Sequence, residues 1–439
     1  MNARLVSSVV HALRFPSGGG GASGRTDGRE RHPCDFSQRE WERSIGILDR
    51  SGLTLPYYAR LLAAGDCGRL PLQTIAALER RRSDNQVRMR RMLKTFGEAV
   101  RALQQAGINF VCVKGFSLFP EFVSEPWQRH QIDFDLLTAA GQGLRAQAAL
   151  EQLGYKLTAV AGDGERRLRI PVKQAISHEA YLYSPQDGGA IELHSRFWEA
   201  GGEEFPLTCP EDAFEQAERH MLDSVSFPRL SQPHAFLYQL LHAFRHFMGS
   251  WARPLWLYEI ASYIDRHYAN VELWRRVATL LSADARLAEA TSLVLLTAKE
   301  LFACPIPSAL ENVCALADDD PIRLWVHLYA RRWILADMPG NKLNLLLQRR
   351  YFSDGRIWRR YLAGRLAPRR ARPVLCEGID TRVARSLKYR AANLRYQLSR
   401  VWHHLRTGAG FAAASVAWRI QLHLNQSACA PNDMSQGES

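Results

Sequence analysis

Asp133-Phe134-Asp135 places two carboxylates two residues apart within an otherwise apolar run, Gln131 to Thr138. On a β-strand, residues i and i+2 face the same side, so both acids project together while Phe134 turns into the core. Neighbouring carboxylates repel unless a cation lies between them. Hard oxygen ligands of this kind suit Mg²⁺, an ion that also binds nucleotide phosphates. Glu192, in Ile191-Glu192-Leu193-His194, is the candidate for a third carboxylate on a neighbouring strand, pointing away from its apolar neighbours. The short Asp-x-Asp pattern alone fits a solvated strand face as well as a metal site.

Other residues of suitable type surround these acids. Arg129, four places before Asp133, is either a triphosphate contact or a surface arginine. His194 and Arg196 alternate with Glu192 and share its strand face, where they touch nucleotide or acceptor or serve structure alone. His242 and His246 lie four apart on an apolar helix, a spacing that can hold one metal. Ala243 follows His242 where a zinc hydrolase motif has glutamate, which argues against zinc.

The elements that must position these residues change character along the chain. Ser37-Gln38-Arg39-Glu40 has the capping-box pattern and opens a helical stretch ending near Ala106, of which Leu72 to Leu103 is basic and amphipathic. Ile108–Val113, Gln131–Thr138, Tyr155–Val160, His178–Tyr183 and Ala190–Phe197 read as strands, with turn chemistry from Pro185 to Gly189. Gly115–Phe122 and Gly141–Leu153 read as helices between them. After Pro206 the helical period returns in His234–Met248, Leu255–Tyr268, Leu273–Leu281 and Ala285–Phe302, then in Ile322–Trp333, Leu343–Tyr351 and Thr381–Leu405. The expected fold is α+β, a small mixed sheet flanked by N-terminal and C-terminal helical regions. By residue this gives a disordered lead-in (1–36), an N-terminal helical region (37–106) and a sheet-bearing core (107–205). A helical region (206–320), a basic helix-rich region (321–425) and a disordered tail (426–439) follow.

With 439 residues, 46% of them hydrophobic and 23% charged, the chain is long enough and apolar enough for ordinary cores, which excludes a mostly disordered protein. No two of the eight cysteines have CxxC spacing, so neither a zinc site nor a disulfide framework is indicated and a reducing cytoplasm is the expected home. No window approaches the roughly 20 apolar residues of a transmembrane helix. The net charge of +13 is concentrated, because residues 341–425 hold 18 Lys and Arg against Asp354, Glu377 and Asp380. Tyr351, Phe352, Trp358, Tyr361, Tyr389, Tyr396 and Trp402 are interleaved with those charges. The mixture suits an anionic partner such as RNA, a membrane surface or an acidic acceptor, and equally a set of solvated helix faces.

Taken in order, Gly107-Ile108, Val113-Lys114-Gly115, Arg129, Asp133-Phe134-Asp135-Leu136-Leu137, Leu153-Gly154-Tyr155 and Ile191-Glu192-Leu193-His194 resemble the uncharacterised nucleotidyltransferase family of bacteria. That family is a distant branch of the polymerase-beta-like superfamily, and the resemblance covers about Ser37 to Pro305. It implies that 107–205 is a nucleotidyltransferase catalytic core in which Asp133, Asp135 and Glu192 bind two Mg²⁺ ions. It implies an NTP substrate, whose NMP passes to an acceptor hydroxyl or phosphate with release of pyrophosphate. Asp135 would take bridging or base duty. Lys114, Gly115 and Ser117 would hold the nucleotide phosphates at the start of a helix, with Ser117 one place later than the superfamily's Gly-Ser pair. Ile132 stands where the family often has a small residue. The resemblance extends to His242 and His246, to Arg253 and to Glu259. Nothing in the sequence identifies the acceptor, be it small molecule, peptide, glycan precursor or RNA. A catalytically degenerate nucleotide- or partner-binding module is the alternative, as is an enzyme docking RNA or membrane through its basic region.

Overall fold

The computed structural model describes residues 3–15, 31–160, 165–170, 182–185, 189–198, 205–249, 251–316, 320–336, 340–352, 354–366 and 387–429. Seven strands are β1 (Phe110–Cys112), β2 (Asp133–Thr138), β3 (Lys156–Val160), β4 (Arg166–Arg169), β5 (Ala190–His194), β6 (Glu218–Leu222) and β7 (Val225–Arg229). They form one mixed sheet in the order β3-β4-β5-β2-β1-β7-β6. At its centre β2 and β5 run parallel, β1 pairs antiparallel with β2, and β4 pairs antiparallel with β5. Helices α1 (Ala3–Ala12), α2 (Gln38–Ser51), α3 (Thr54–Ala64) and α4 (Leu72–Gln105) precede the sheet, and α5 (Gly143–Glu151) lies within it in sequence. Helices α6 (Gln232–Gly249), α7 (Pro254–His267), α8 (Val271–Ser282) and α9 (Ala285–Phe302) follow. The fold is α+β, as the change of period along the sequence predicts.

Period-two alternation sends Phe134 and Leu136 of β2, with Ile191 and Leu193 of β5, into the main core. There Phe134 meets the rings of Phe96 and Phe116 at 5.2 and 5.9 Å. The capping box is realised: the Ser37 hydroxyl accepts from the Glu40 amide, and Glu40 accepts from the Ser37 amide at 2.8 Å. On α4, Asn85 and Arg88 lie one turn apart on the inward face and are fully buried. Asn85 donates to the carbonyls of Trp127 and Arg129 at 2.8 and 3.1 Å, and Arg88 donates to that of Gln131. The chain entering β2 is thus held from behind by a long helix.

Helix α1, the β6–β7 hairpin and strand β4 depart from the sequence reading. The lead-in expected over 1–36 contains α1, whose Leu5, Val6, Val9 and Val10 are buried, as is Leu13 just after it. Phe15 N donates to Phe302 O at 2.8 Å and Arg14 Nε to Leu301 O at 3.1 Å, so this end is tied to α9. Its apolar stretch is short, and its partner is remote in sequence. After Pro206, where helix was expected, β6 and β7 make a hairpin that extends the sheet, β7 running parallel to β1. The charged and polar residues of an edge strand gave no alternation to read. Strand β4, with Leu168 its only buried residue, was likewise unread. The strand expected over His178–Tyr183 lies largely outside the described residues, as does Ser17–Gly28.

The basic C-terminal region is partly core. Leu343, Leu347, Tyr351 and Phe352 are buried, and Asn344 and Gln348 both donate to Phe247 O at 2.7 Å. Trp358 and Tyr361 pack against Phe352 with ring centroids 5.3 and 4.8 Å away. Four of the aromatics read as candidates for an anionic partner therefore serve packing. The last helix runs from Leu387 to Cys429, longer than the expected Thr381–Leu405 and reaching into the tail expected to be disordered.

Candidate active site

In the register of β2 and β5, Asp135 lies opposite Glu192 and Leu137 opposite His194. Because strand side chains alternate, Asp133, Asp135, Glu192 and His194 share the sheet face opposite to Phe134 and Ile191. Acids far apart in sequence converge. Further along this face Val111, Val113, Leu137 and Leu230 form a small apolar cluster with Tyr238 of α6. Gln239 of α6 donates to Val113 O at 3.1 Å, which seats that helix over the acidic face.

Basic side chains meet each carboxylate. Lys114 Nζ is 2.7 Å from Asp135 Oδ1, and His194 Nε2 is 3.0 Å from the same oxygen. Arg167 of β4 lies directly opposite Glu192 and pairs with its carboxylate, while its Nη2 is 3.6 Å from Asp133 Oδ2. Burial works to raise the Asp135 carboxyl, but Lys114 and His194 outweigh it and hold the group well below the usual carboxylate range. For Asp133, burial and the charge of Asp135 win over Lys114, Arg167 and Arg129, and its carboxyl is raised. The Glu192 carboxyl is pushed up to about 7 by burial and by Asp133 and Asp135, against the pull of Lys114 and Arg167. An acid held ionised by two partners is a weak proton acceptor, so in the metal-free fold Glu192 holds a proton more readily than Asp135 does.

Asp135, Glu192 and His194 each offer one donor atom, all within 4.8 Å of one another, and they are the only such trio among the described residues. His194 joins Asp135 and Glu192 in this trio, and Asp133 lies beside them on the same sheet face. Two carboxylates and an imidazole, with Asp133 on the same face, fit a divalent cation.

The other sequence candidates divide. Gly115 begins a four-residue 3₁₀ turn, Gly115–Leu118, in place of the expected helix, so no helix N-terminus stands there. Gly115 itself has φ +68°, and a Cβ would lie 3.1 Å from Gln131 Oε1, so the turn requires glycine. The Ser117 hydroxyl is turned back, donating to Lys114 O at 3.2 Å. Arg129 is buried rather than a surface residue, and its Nε donates to Glu259 Oε1 at 2.7 Å, tying β2's approach to α7. The rings of His242 and His246 pack on Trp256, with centroids 4.8 and 4.0 Å from it. Burial, with the charges of Lys114 and Arg245, lowers His246 to about 3 and keeps it neutral. Arg196, just past β5, lines a cleft with His194, Phe197, Tyr238, His242 and Arg245. Sequence reasoning missed Arg167 and Arg245, the first because β4 was not recognised and the second because it needed the placement of α6.

The raised Glu192 carboxyl has a measurable consequence. Its folded value of about 7 lies above the ordinary 4.5, so its stabilising contribution is complete below the ordinary value and is lost as pH rises through 7. In chelator, unfolding free energy is expected to fall by on the order of 2 kcal/mol from this group between pH 5 and 8. Glu192→Gln should remove that slope, read as the difference between urea titrations of the two proteins across pH. Parallel pH profiles would assign the slope to other groups.

A mixed sheet whose central strands bring paired acids opposite a third, with helices on both sides in sequence, is the arrangement of a nucleotidyltransferase. The chain belongs to the family described as uncharacterised nucleotidyltransferase, whose profile matches residues 37–303. No curated protein matches it in sequence. Among solved structures, that of the antibiotic-resistance factor ANT(2'')-Ia is similar over 44% of this chain and 91% of its own, at 15% identity and a TM-score of 0.29. That likeness is too distant to carry a substrate across.

Proposed function

We propose that the protein is an active Mg²⁺-dependent nucleotidyltransferase that moves an NMP from an NTP to an acceptor hydroxyl or phosphate, releasing pyrophosphate. The observation that supports this reading is the convergence of Asp133, Asp135 and Glu192 on one face of β2 and β5. Asp133, Asp135 and Glu192 would hold two Mg²⁺ ions, which would supply charge for the triphosphate and acidity for the attacking group. His194 orients Asp135 through their shared contact. Glu192 receives the acceptor's proton. Lys114 and Arg167 stand within reach of the acids and neutralise phosphate oxygens of the bound NTP. Arg129, fixed by Glu259, adds its charge from below, and the Gly115–Ser117 turn shapes the backbone beside the phosphates. The acceptor enters along the cleft of Arg196, Tyr238, His242 and Arg245. We place the protein in the cytoplasm.

Incubation of the pure protein with each α-labelled NTP and Mg²⁺, with and without cell extract, tests this. A labelled product with stoichiometric pyrophosphate is expected. NTP binding without transfer in any extract would establish a binding module instead.

A further inference from the structure

The C-terminal helix, Leu387–Cys429, is apolar on two opposite sides. One side is packed: Ala414 and Trp418 are buried, and the Trp418 ring lies 5.9 Å from that of Tyr329. The Tyr329 hydroxyl donates to Ala414 O at 3.2 Å, and Leu422 is partly buried against the same core. On the other side Leu394, Leu398, Val401, Trp402 and Leu405 are each more than half exposed. Val416, Ile420 and Leu424 carry this exposed stripe on toward the helix end. At 100° per residue the eight fall within an arc of about 140°, roughly opposite Ala414 and Trp418, over a length of about 45 Å.

Single exposed leucines are ordinary, but a continuous stripe of this length implies a partner. The charge decides which one. The helix carries Lys388, Arg390, Arg395, Arg400, Arg406 and Arg419 and no aspartate or glutamate. By helical position Arg395 and Arg406 lie along one edge of the stripe and Arg419 along the other. A second copy of the helix, in either direction, would set cation against cation with no acid to answer it. RNA is bound through cations and stacked rings, and leaves this run of aliphatic side chains unexplained. No described helix is long and apolar enough to cross a membrane. An apolar stripe edged by cations, with a tryptophan within it, matches a helix lying in the plane of an anionic lipid surface.

We propose that the outward face of the Leu387–Cys429 helix docks the protein on anionic lipid, Leu394, Leu398, Trp402 and Leu405 entering the acyl boundary while Arg395 and Arg406 meet headgroup phosphates. The proposal is independent of the reaction assigned to the sheet. It makes the basic region a docking element and gives its charge a definite place.

Flotation of the full chain with vesicles tests it, using phosphatidylcholine alone and with about a third phosphatidylglycerol. Binding to the anionic vesicles is expected to exceed binding to the neutral ones by about tenfold or more, and to weaken with added salt. Leu398→Gln with Leu405→Gln should lower anionic-vesicle partition by about tenfold or more. Arg395→Gln and Arg406→Gln should each lower it about fivefold. All four positions are exposed, so circular dichroism and melting temperature should be unchanged and serve as the folding control. Equal flotation of wild type and the leucine variant overturns the proposal. So does a wild-type dimer, seen by sedimentation without vesicle binding, that the leucine changes return to monomer. Tight binding of single-stranded RNA that ignores the leucine changes, with no flotation, overturns it as well.

Discussion

Asp133→Asn is expected to lower nucleotidyl transfer by about a thousandfold or more while leaving the melting temperature within a few degrees of wild type. Asp133 is the least buried of the three acids, and its nearest cation, Arg167, keeps Glu192 as a partner when the Asp133 charge is removed. Its carboxyl is already raised by burial and by Asp135, so the neutral amide costs the fold little. Asp135→Asn is the poorer test, because it strips the shared partner from Lys114 and His194 and mixes folding with chemistry. The measurement is kcat/KM with a confirmed NTP and acceptor, beside Mg²⁺ titration by calorimetry. Activity within tenfold of wild type in a folded Asp133→Asn protein would rule out an essential metal role for that acid.

Lys114→Met is expected to destabilise the metal-free protein by about 3–5 kcal/mol, since it leaves Asp135 buried with its strongest counter-charge removed. Burial works to lower the Lys114 ammonium, but Asp135 chiefly, with Tyr238, Asp133 and Glu192, raises it well above the ordinary lysine value. Millimolar Mg²⁺ should restore much of the loss by binding the folded state alone, and should stabilise the variant more than wild type. With the lysine gone, the KM for NTP should rise about tenfold, as expected for loss of one phosphate contact. Denaturant titrations in chelator and in Mg²⁺ give the first two quantities, and steady-state kinetics the third. A variant as stable as wild type in chelator would mean that Arg167 and solvent suffice to balance the acids.

What could be read from the sequence was local. Asp133, Asp135 and Glu192 stood out because a period-two pattern forces Phe134 and Ile191 inward and the acids outward, and the register of β2 on β5 agrees. Helices α6 to α9 were legible because each repeats its apolar positions over several turns. What stayed hidden depended on remote partners. Arg129 reads equally as a triphosphate contact or a surface arginine until Glu259 of α7 is brought to it, and Arg167 has no meaning until β4 pairs with β5. The Gly115 turn was over-read as a helix because its apolar residues, Phe116 and Leu118, are buried by the sheet and not by a helical repeat. Tyr351 and Phe352 have the composition of a binding surface, but their burial against Phe244 and Tyr361 is a tertiary fact.

The parallel pairing of β2 with β5 also bears on how the protein acquires its activity. Parallel neighbours cannot be joined by a tight turn, and here residues 139–189 must pass between them before Asp135 meets Glu192. A chain that has folded only as far as β2 holds Asp133, Asp135 and Lys114 but lacks Glu192, His194 and Arg167. Closing so long a connection costs more chain entropy than pairing β1 with β2, so the proposed cation site is expected to be completed late in folding, after the contacts of β1 with β2. Nascent or partly unfolded chains would then be unable to grip a nucleotide, and the appearance of Mg²⁺ affinity during refolding would time the closure of the sheet's centre.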